Sequence, residues 1–272
     1  MNTRTLSIAA LTLLDVPPAE QVRIAAQTGF TDVGIRLIPA TPDDPDYNML
    51  GDTPQVRETL AALRDTGIGV TDVEIIRLGP DFTLDKRMMT FMETAARLGA
   101  RHVLVAGNDE NVSRSADNLA QLAEAGKNWG LVMNLEPMPW TTLRNIADAQ
   151  TLISASGQKD IGILVDAIHF WRAEESLADL RHLPKNHLNY MQLCDAPAQN
   201  PHDEKEIIRQ ARTARQIPGE GGLNLHGLMA ALPADLPVSV EVPLSGKQGA
   251  LPAEKRAQLL FNAAQAYLYP SV

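Results

Sequence analysis

Four acidic residues stand at or near the ends of short apolar runs: Glu74, Glu136, Asp166 and Glu241. Side chains on a strand alternate between its two faces. Over 131–137, Leu131, Met133 and Leu135 share one face while Val132, Asn134 and Glu136 share the other. Over 237–242, Val238, Val240 and Val242 oppose Ser239 and Glu241. The same alternation groups Gly34 with Arg36, Asp72 with Glu74, Gly162 and Leu164 with Asp166, and Tyr190 with Gln192. If these polar faces point into one enclosed sheet, the four carboxylates converge on a ring beside Arg36 and Gln192. Two like charges about 4 Å apart repel by roughly 4 kcal/mol at an effective dielectric near 20. Such a ring calls for a cation or for protonated carboxyls. Glu136, Asp166, Gln192 and Glu241 offer only oxygen atoms if the amide turns its carbonyl inward, which suits Mn²⁺ or Mg²⁺ better than Zn²⁺. Of the six histidines, only His169 lies near the ring, three residues after Asp166.

The elements that must hold this ring are short apolar runs alternating with longer amphipathic ones. The patterning predicts strands over 6–13, 32–38, 69–78, 102–106, 131–137, 161–167, 188–194 and 237–242. Helices are predicted over 19–28, 54–65, 86–98, 112–128, 142–155, 174–180, 223–232 and 253–269. Gly29, Gly67, Gly99, Gly130 and Gly157 follow helical runs, as left-handed C-caps do, and Thr53-Pro54 reads as an N-cap with proline at the first helical position. Eight βα units imply a parallel sheet that closes as a (β/α)₈ TIM barrel, with 1–272 as a single domain. A doubly wound open sheet is the alternative, but no G-x-G-x-x-G follows the first strand. In a barrel, active sites form at the C-terminal ends of the strands, where these acidic residues fall.

Composition narrows the partners. The chain has 272 residues, 44% hydrophobic and 21% charged, as a globular protein does. A formal net charge of −9 argues against nucleic acid, which needs a basic surface. Cys194 is the only cysteine, so no intrachain disulfide forms, and a cytoplasmic location is expected. No apolar run spans a membrane. Arg4 and the apolar stretch 6–14 mimic a signal peptide, but Asp15-Val16-Pro17-Pro18 follows instead of a small-residue cleavage site.

At this point the sequence resembles the xylose-isomerase-like barrel superfamily of sugar isomerases and epimerases, which also includes DNA-repair enzymes of the endonuclease IV type. The likeness is carried by Asn134-Leu135-Glu136-Pro137, Val165-Asp166-Ala167-Ile168-His169, Gln192-Leu193-Cys194-Asp195, Ile217-Pro218-Gly219-Glu220-Gly221 and Ser239-Val240-Glu241-Val242-Pro243. It implies a divalent metal held by Glu136, Asp166, Glu241 and the residue at Gln192, with His169 touching substrate. Many relatives carry histidine at the Gln192 position, and this chain departs from them there. DNA repair fits badly, because that branch needs several metal-binding histidines and a basic face.

The activity expected is isomerisation or epimerisation of a keto-sugar or polyol-derived substrate through an enediolate, with Glu136 and Glu241 as base and acid. Candidate substrate contacts are His169, Arg36, Glu74, Arg215, Trp140 and Trp171. A dehydratase acting at the same metal site is the first alternative. A non-catalytic sugar-binding protein is the second. The acidic segment 39–51, with Tyr47, could form a lid. The gap 195–236 holds Arg212, Arg215 and Gly219–Gly222, a place where barrels bind phosphate, but Glu220 there favours an unphosphorylated substrate. Homo-oligomerisation stays open, since the predicted exterior helices show no distinctive patch.

Overall fold

A computed structural model describes residues 4–269. The strands are β1 (Leu6–Ile8), β2 (Asp32–Arg36), β3 (Gly69–Leu78), β4 (His102–Gly107), β5 (Val132–Leu135), β6 (Gly162–Ile163), β7 (Val165–Asp166), β8 (Met191–Leu193) and β9 (Val238–Val240). Every pairing between them is parallel, in the order β6-β5-β4-β3-β2-β1-β9-β8-β7. The two ends of that order are consecutive pieces of one run, separated only by Leu164. The chain itself therefore closes the ring, and the architecture is the expected barrel with its sixth strand in two pieces.

The helices are α1 (Pro18–Thr28), α2 (Pro54–Thr66), α3 (Lys86–Arg97), α4 (Val112–Lys127), α5 (Ile146–Ser156), α6 (Ala167–Arg172), α7 (Leu177–Arg181), α8 (Glu204–Thr213), α9 (Leu225–Ala231), α10 (Gly246–Gly249) and α11 (Ala253–Leu268). Several begin where a side chain accepts an otherwise unpaired amide: Thr53 from Val56, Asp85 from Met88, Asn111 from Arg114 and Asn145 from Asp148. None of these helices is long and apolar enough to cross a membrane.

Four expectations about elements need correction. The first strand ends at Ile8, not at residue 13, because Ala10–Leu13 turns into a 3₁₀ helix. The Thr12 hydroxyl donates to the Val240 carbonyl (2.8 Å) and accepts from Val242 N–H (3.0 Å), fastening that turn to β9. The fifth helix starts at Ile146 because Asn145 caps it there; Thr141–Leu143 instead folds on its own hydroxyl bonds. The helix expected over 174–180 is the shorter α7, preceded by α6, and α8 forms over Glu204–Thr213, a part of the long gap for which no helix is predicted.

The main core lies between barrel and helices, from Leu6, Val33 and Val73 on strands to Val22, Phe91 and Leu119 on helices. A second cluster of Ile75, Leu104, Ala106, Met138, Leu164 and Tyr190 is grouped apart from it. Its strand members share the inward polar face, so it floors the barrel's interior. Gly162 belongs to this floor: a Cβ there would collide with Asn134 and Asn189, whose side chains hydrogen-bond to each other at 2.8 Å. Tyr190 donates to Asp72 (3.3 Å) and stacks on His102, with ring centroids 5.2 Å apart.

Burial first, and Arg101 second, push the His102 imidazole down to about 4. The folded protein then cannot take the proton that the unfolded chain takes near pH 6.5, so stability drains away as pH falls from 6.5 towards 4. His102→Phe keeps the ring stack and removes the titration. Between pH 7 and pH 4.5, denaturant titrations should show the variant losing about 2 kcal/mol less stability than the parent. Equal acid losses would mean that His102 takes up its proton without unfolding.

Candidate active site

Asp166 ends β7 and caps α6, its Oδ1 accepting from the amides of Ile168 (2.8 Å) and His169 (3.2 Å). That cap brings His169 round beside Glu136, which follows β5; His169 Nε2 lies 3.6 Å from Glu136 Oε1. Asp166 registers with Gln192 on β8, and Gln192 with Ser239 on β9, two residues before Glu241. Gln192 donates to Glu241 Oε1 at 2.9 Å, while its own Oε1 is buried without a partner. A half-turn of the amide would exchange these two ends.

Arg215 completes the ring from outside the sheet. An antiparallel bridge between Asp195 and Gln216 returns the chain after α8, and Arg215 Nε donates to the Ala211 carbonyl (2.7 Å). Its guanidinium reaches Asp166 Oδ2 at 2.5 Å and Glu241 Oε2 at 2.6 Å. Arg36 serves a second pair, Glu74 at 2.5 Å and Asp44 at 2.8 Å. Two guanidiniums thus serve four carboxylates, and Glu136 has no cationic partner among the described residues.

The electrostatics follow from that shortage. Burial, then the charges of Glu241 and Asp166, hold the Glu136 carboxyl well above the usual range. Burial raises Glu241 to about 8 against the pull of Arg215. Burial would raise Asp166 as well, but Arg215, His169 and the cap bonds leave it below its ordinary value. Burial pushes His169 down to about 4, so its ring is neutral near pH 7 and its Nδ1 is left unpartnered. Glu136, Asp166 and His169 each offer one ligand atom, and these lie within 4.8 Å of one another.

Glu136, Glu241, His169, Arg36, Glu74, Arg215 and Trp140 line one cavity of about 690 Å³. Trp140 meets His169 edge-on, with centroids 5.0 Å apart. Trp171 does not line this cavity and packs edge-on against Phe170 instead. Asp166 lines a small neighbouring pocket that shares His169, and Gln192 is wholly buried. The segment expected as a lid is fastened: Asp44 binds Arg36 and the Ala40 and Thr41 amides, and the Tyr47 hydroxyl donates to the Leu14 carbonyl. Burial holds Cys194 up at about 12, which suits a packing residue and not a nucleophile.

Asp195 fills the glycine loop from within. Its carboxylate accepts from the amides of Gly219 (3.0 Å), Gly221 (3.1 Å) and Leu223 (3.1 Å), the donors a phosphate would need. Charged residues that line the cavity beyond those expected from the sequence include Arg77, Asp44 and Arg256. Strict alternation from Asp72 and Glu74 puts residue 76 inward, but the register slips between Val73 and Ile76, and Arg77 reaches the mouth. The signal for Asp44 was present in the acidic run 43–46, without any way to assign it to Arg36.

Residues 22–263 match the xylose isomerase-like TIM barrel family. The chain belongs to that family. A 3-dehydroshikimate dehydratase of Pseudomonas aeruginosa is 28% identical over 175 residues, covering 61% of this chain. Only 26% of that relative's length is matched. Among solved structures, 3-keto-D-glucoside 4-epimerase of E. coli superposes with a TM-score of 0.71 at 19% identity, covering 97% of this chain and all of the other. The IolI protein with a bound zinc atom gives a TM-score of 0.75 at 17% identity, covering 97% and 98%. At such identities these structures establish the shared fold.

Proposed function

We propose that this family member is a divalent-metal-dependent isomerase or epimerase of a keto-sugar or polyol-derived substrate. Its reaction begins with removal of a proton from the carbon beside a carbonyl. The observation that carries this reading is two buried glutamates, Glu136 and Glu241, on one cavity with unlike support. Glu241 is clamped by Gln192 and Arg215, whereas Glu136 has only neutral His169 beside it.

A divalent cation fits the residues present. Carboxylates outnumber guanidiniums in the ring, and the buried Gln192 Oε1 lacks a partner. Glu136, Asp166, Gln192 and Glu241 would hold the ion, an all-oxygen set that favours Mn²⁺ or Mg²⁺; His169 is a further donor beside Glu136 and Asp166. Bound there, such an ion supplies Lewis-acid polarisation of the substrate carbonyl. Positive charge in the ring also favours the carboxylate form of Glu136, which then acts as base, with Glu241 returning the proton as acid. His169 lines the cavity with an unpartnered Nδ1 and would hydrogen-bond a substrate oxygen, its ring held edge-on against Trp140.

Dehydration is the second reading, favoured by the 28% identical relative. It shares the first step and differs in losing a β-hydroxyl. Metal-loaded protein in deuterated water separates the two on ketoses, keto-inositols and 3-dehydroshikimate. An isomerase or epimerase gives a product of substrate mass with deuterium at carbon, and a dehydratase gives one lighter by water. Absence of both with every substrate, together with no melting shift on adding Mn²⁺ or Mg²⁺, would leave a non-catalytic binding protein. If the metal binds at 100 times its dissociation constant, stability should rise by about 2.7 kcal/mol.

A further inference from the structure

Five arginines line the cavity: Arg36, Arg77, Arg212, Arg215 and Arg256. Three are neutralised within the protein, Arg36 by Glu74 and Asp44, Arg215 by Asp166 and Glu241, and Arg256 by Asp15 at 2.6 Å. The other two are not. Arg77 reaches only the neutral Asn108 Oδ1, at 3.3 Å, and the exposed Arg212 side chain makes no ion pair or hydrogen bond among the described residues. Arg77 lies near the end of β3 and Arg212 in the last turn of α8, so two separate elements bring them to one cavity. Burial first, and then the charge of Arg212, lower Arg77, which also feels Glu136; the charge of Arg212 reaches His169 as well. The pair therefore belongs to the Glu136–His169 side. Two unneutralised guanidiniums sharing a cavity raise the local concentration of anions and form strong charge-assisted hydrogen bonds to them.

The anion can be narrowed. Phosphate in barrels commonly takes backbone amides after the seventh or eighth strand. Here Asp195 has already filled the glycine loop. Asp43, Asp44 and Glu74 line the same cavity and would repel a dianion more than a monoanion. A planar guanidinium fork matches a carboxylate without help from the backbone.

We infer that the substrate carries a carboxylate, held at the mouth of the cavity by Arg77 and Arg212. The substrate class is then a hydroxylated keto acid and not a neutral sugar. This rests on the proposed function only in taking the cavity as the substrate site.

Matched acid and neutral probes test it: shikimate against methyl shikimate, and D-gluconate against D-glucitol, with glycerol 3-phosphate as the phosphate arm. Calorimetry should show at least one acid binding about tenfold or more tighter than its neutral twin, the order expected of a charge-assisted hydrogen bond. That preference should disappear in the double variant Arg77→Gln/Arg212→Gln and persist in Arg64→Gln, an exposed arginine of α2. Circular dichroism melts confirm that the variants fold. The inference is overturned if neither acid binds, if the twins bind equally, or if the preference survives the double variant. Tighter arginine-dependent binding of glycerol 3-phosphate overturns it too. Deuterium exchange is read separately, so an acid preference without exchange sinks the proposed reaction alone, and exchange without the preference sinks the subsite alone.

Discussion

Glu136→Gln should cut turnover by about 10²–10⁴-fold, the usual cost of losing a positioned general base. Glutamine keeps the length and an oxygen at that position, so the change removes basicity with little change of shape. Glu241→Gln should fall in the same range, because each proton transfer needs one of the two groups. Stability should respond differently at the two sites. Glu136 has no cationic partner, and its folded-state titration lies well above the ordinary range. The unfolded chain releases that proton near its ordinary value, so this group costs the metal-free fold stability as pH rises above that value. A neutral amide removes the cost. Metal-free Glu136→Gln should therefore melt no lower than the parent at pH 8 while its rate collapses. Near-parental turnover of both variants would show that these glutamates are not the base and acid.

Arg215→Met should destabilise the metal-free protein by about 3–5 kcal/mol, the range for breaking a buried ion pair from one side. The guanidinium is buried and shared by Asp166 and Glu241, which would be left facing each other without a counter-charge. Protonation of Glu241 would offset part of this, so the loss should grow as pH rises. Mn²⁺ should stabilise the variant more than the parent, because the ion then answers charge that nothing else answers. Chemical denaturation at two pH values, with and without Mn²⁺, reads all three effects. A metal-free variant as stable as the parent would show that Arg215 is not the counter-charge of the ring.

The barrel was legible because its signals are local. Period-two apolar runs, helical stripes and glycines after helices each depend on a few neighbouring residues. The end of the first strand was not legible, since 6–13 reads as uniformly apolar and the turn at Ala10 is set by Thr12 bonding to β9, more than two hundred residues away in sequence. Helix α8 hid in a long charged gap. At the site, alternation along the strands points Glu136, Asp166, Gln192 and Glu241 to one place. It says nothing of Arg215, whose partners are 49 residues back and 26 ahead by position alone. Arg77 was missed because a slip in register breaks the alternation on which the reading depended. Trp171 is near His169 in sequence, but the turn of α6 sends it away from the cavity and against Phe170.

The break at Leu164 gives the barrel a seam, and the seam runs through the ring. Gly162 and Ile163 pair with β5, whereas Val165 and Asp166 pair with β8. Leu164 still donates to the Leu135 carbonyl at 2.8 Å, so the two sides are stitched but share no continuous ladder. Glu136 stands on one side, and Asp166, Gln192 and Glu241 stand together on the other. Their spacing within the second group is fixed by strand register; the gap from Glu136 to that group is not. That gap is the one dimension of the ring that no strand ladder sets. If the ring holds a cation, exchanging it for one of different radius is expected to change the distance from Glu136 to the Asp166–Gln192–Glu241 group more than the distances within that group.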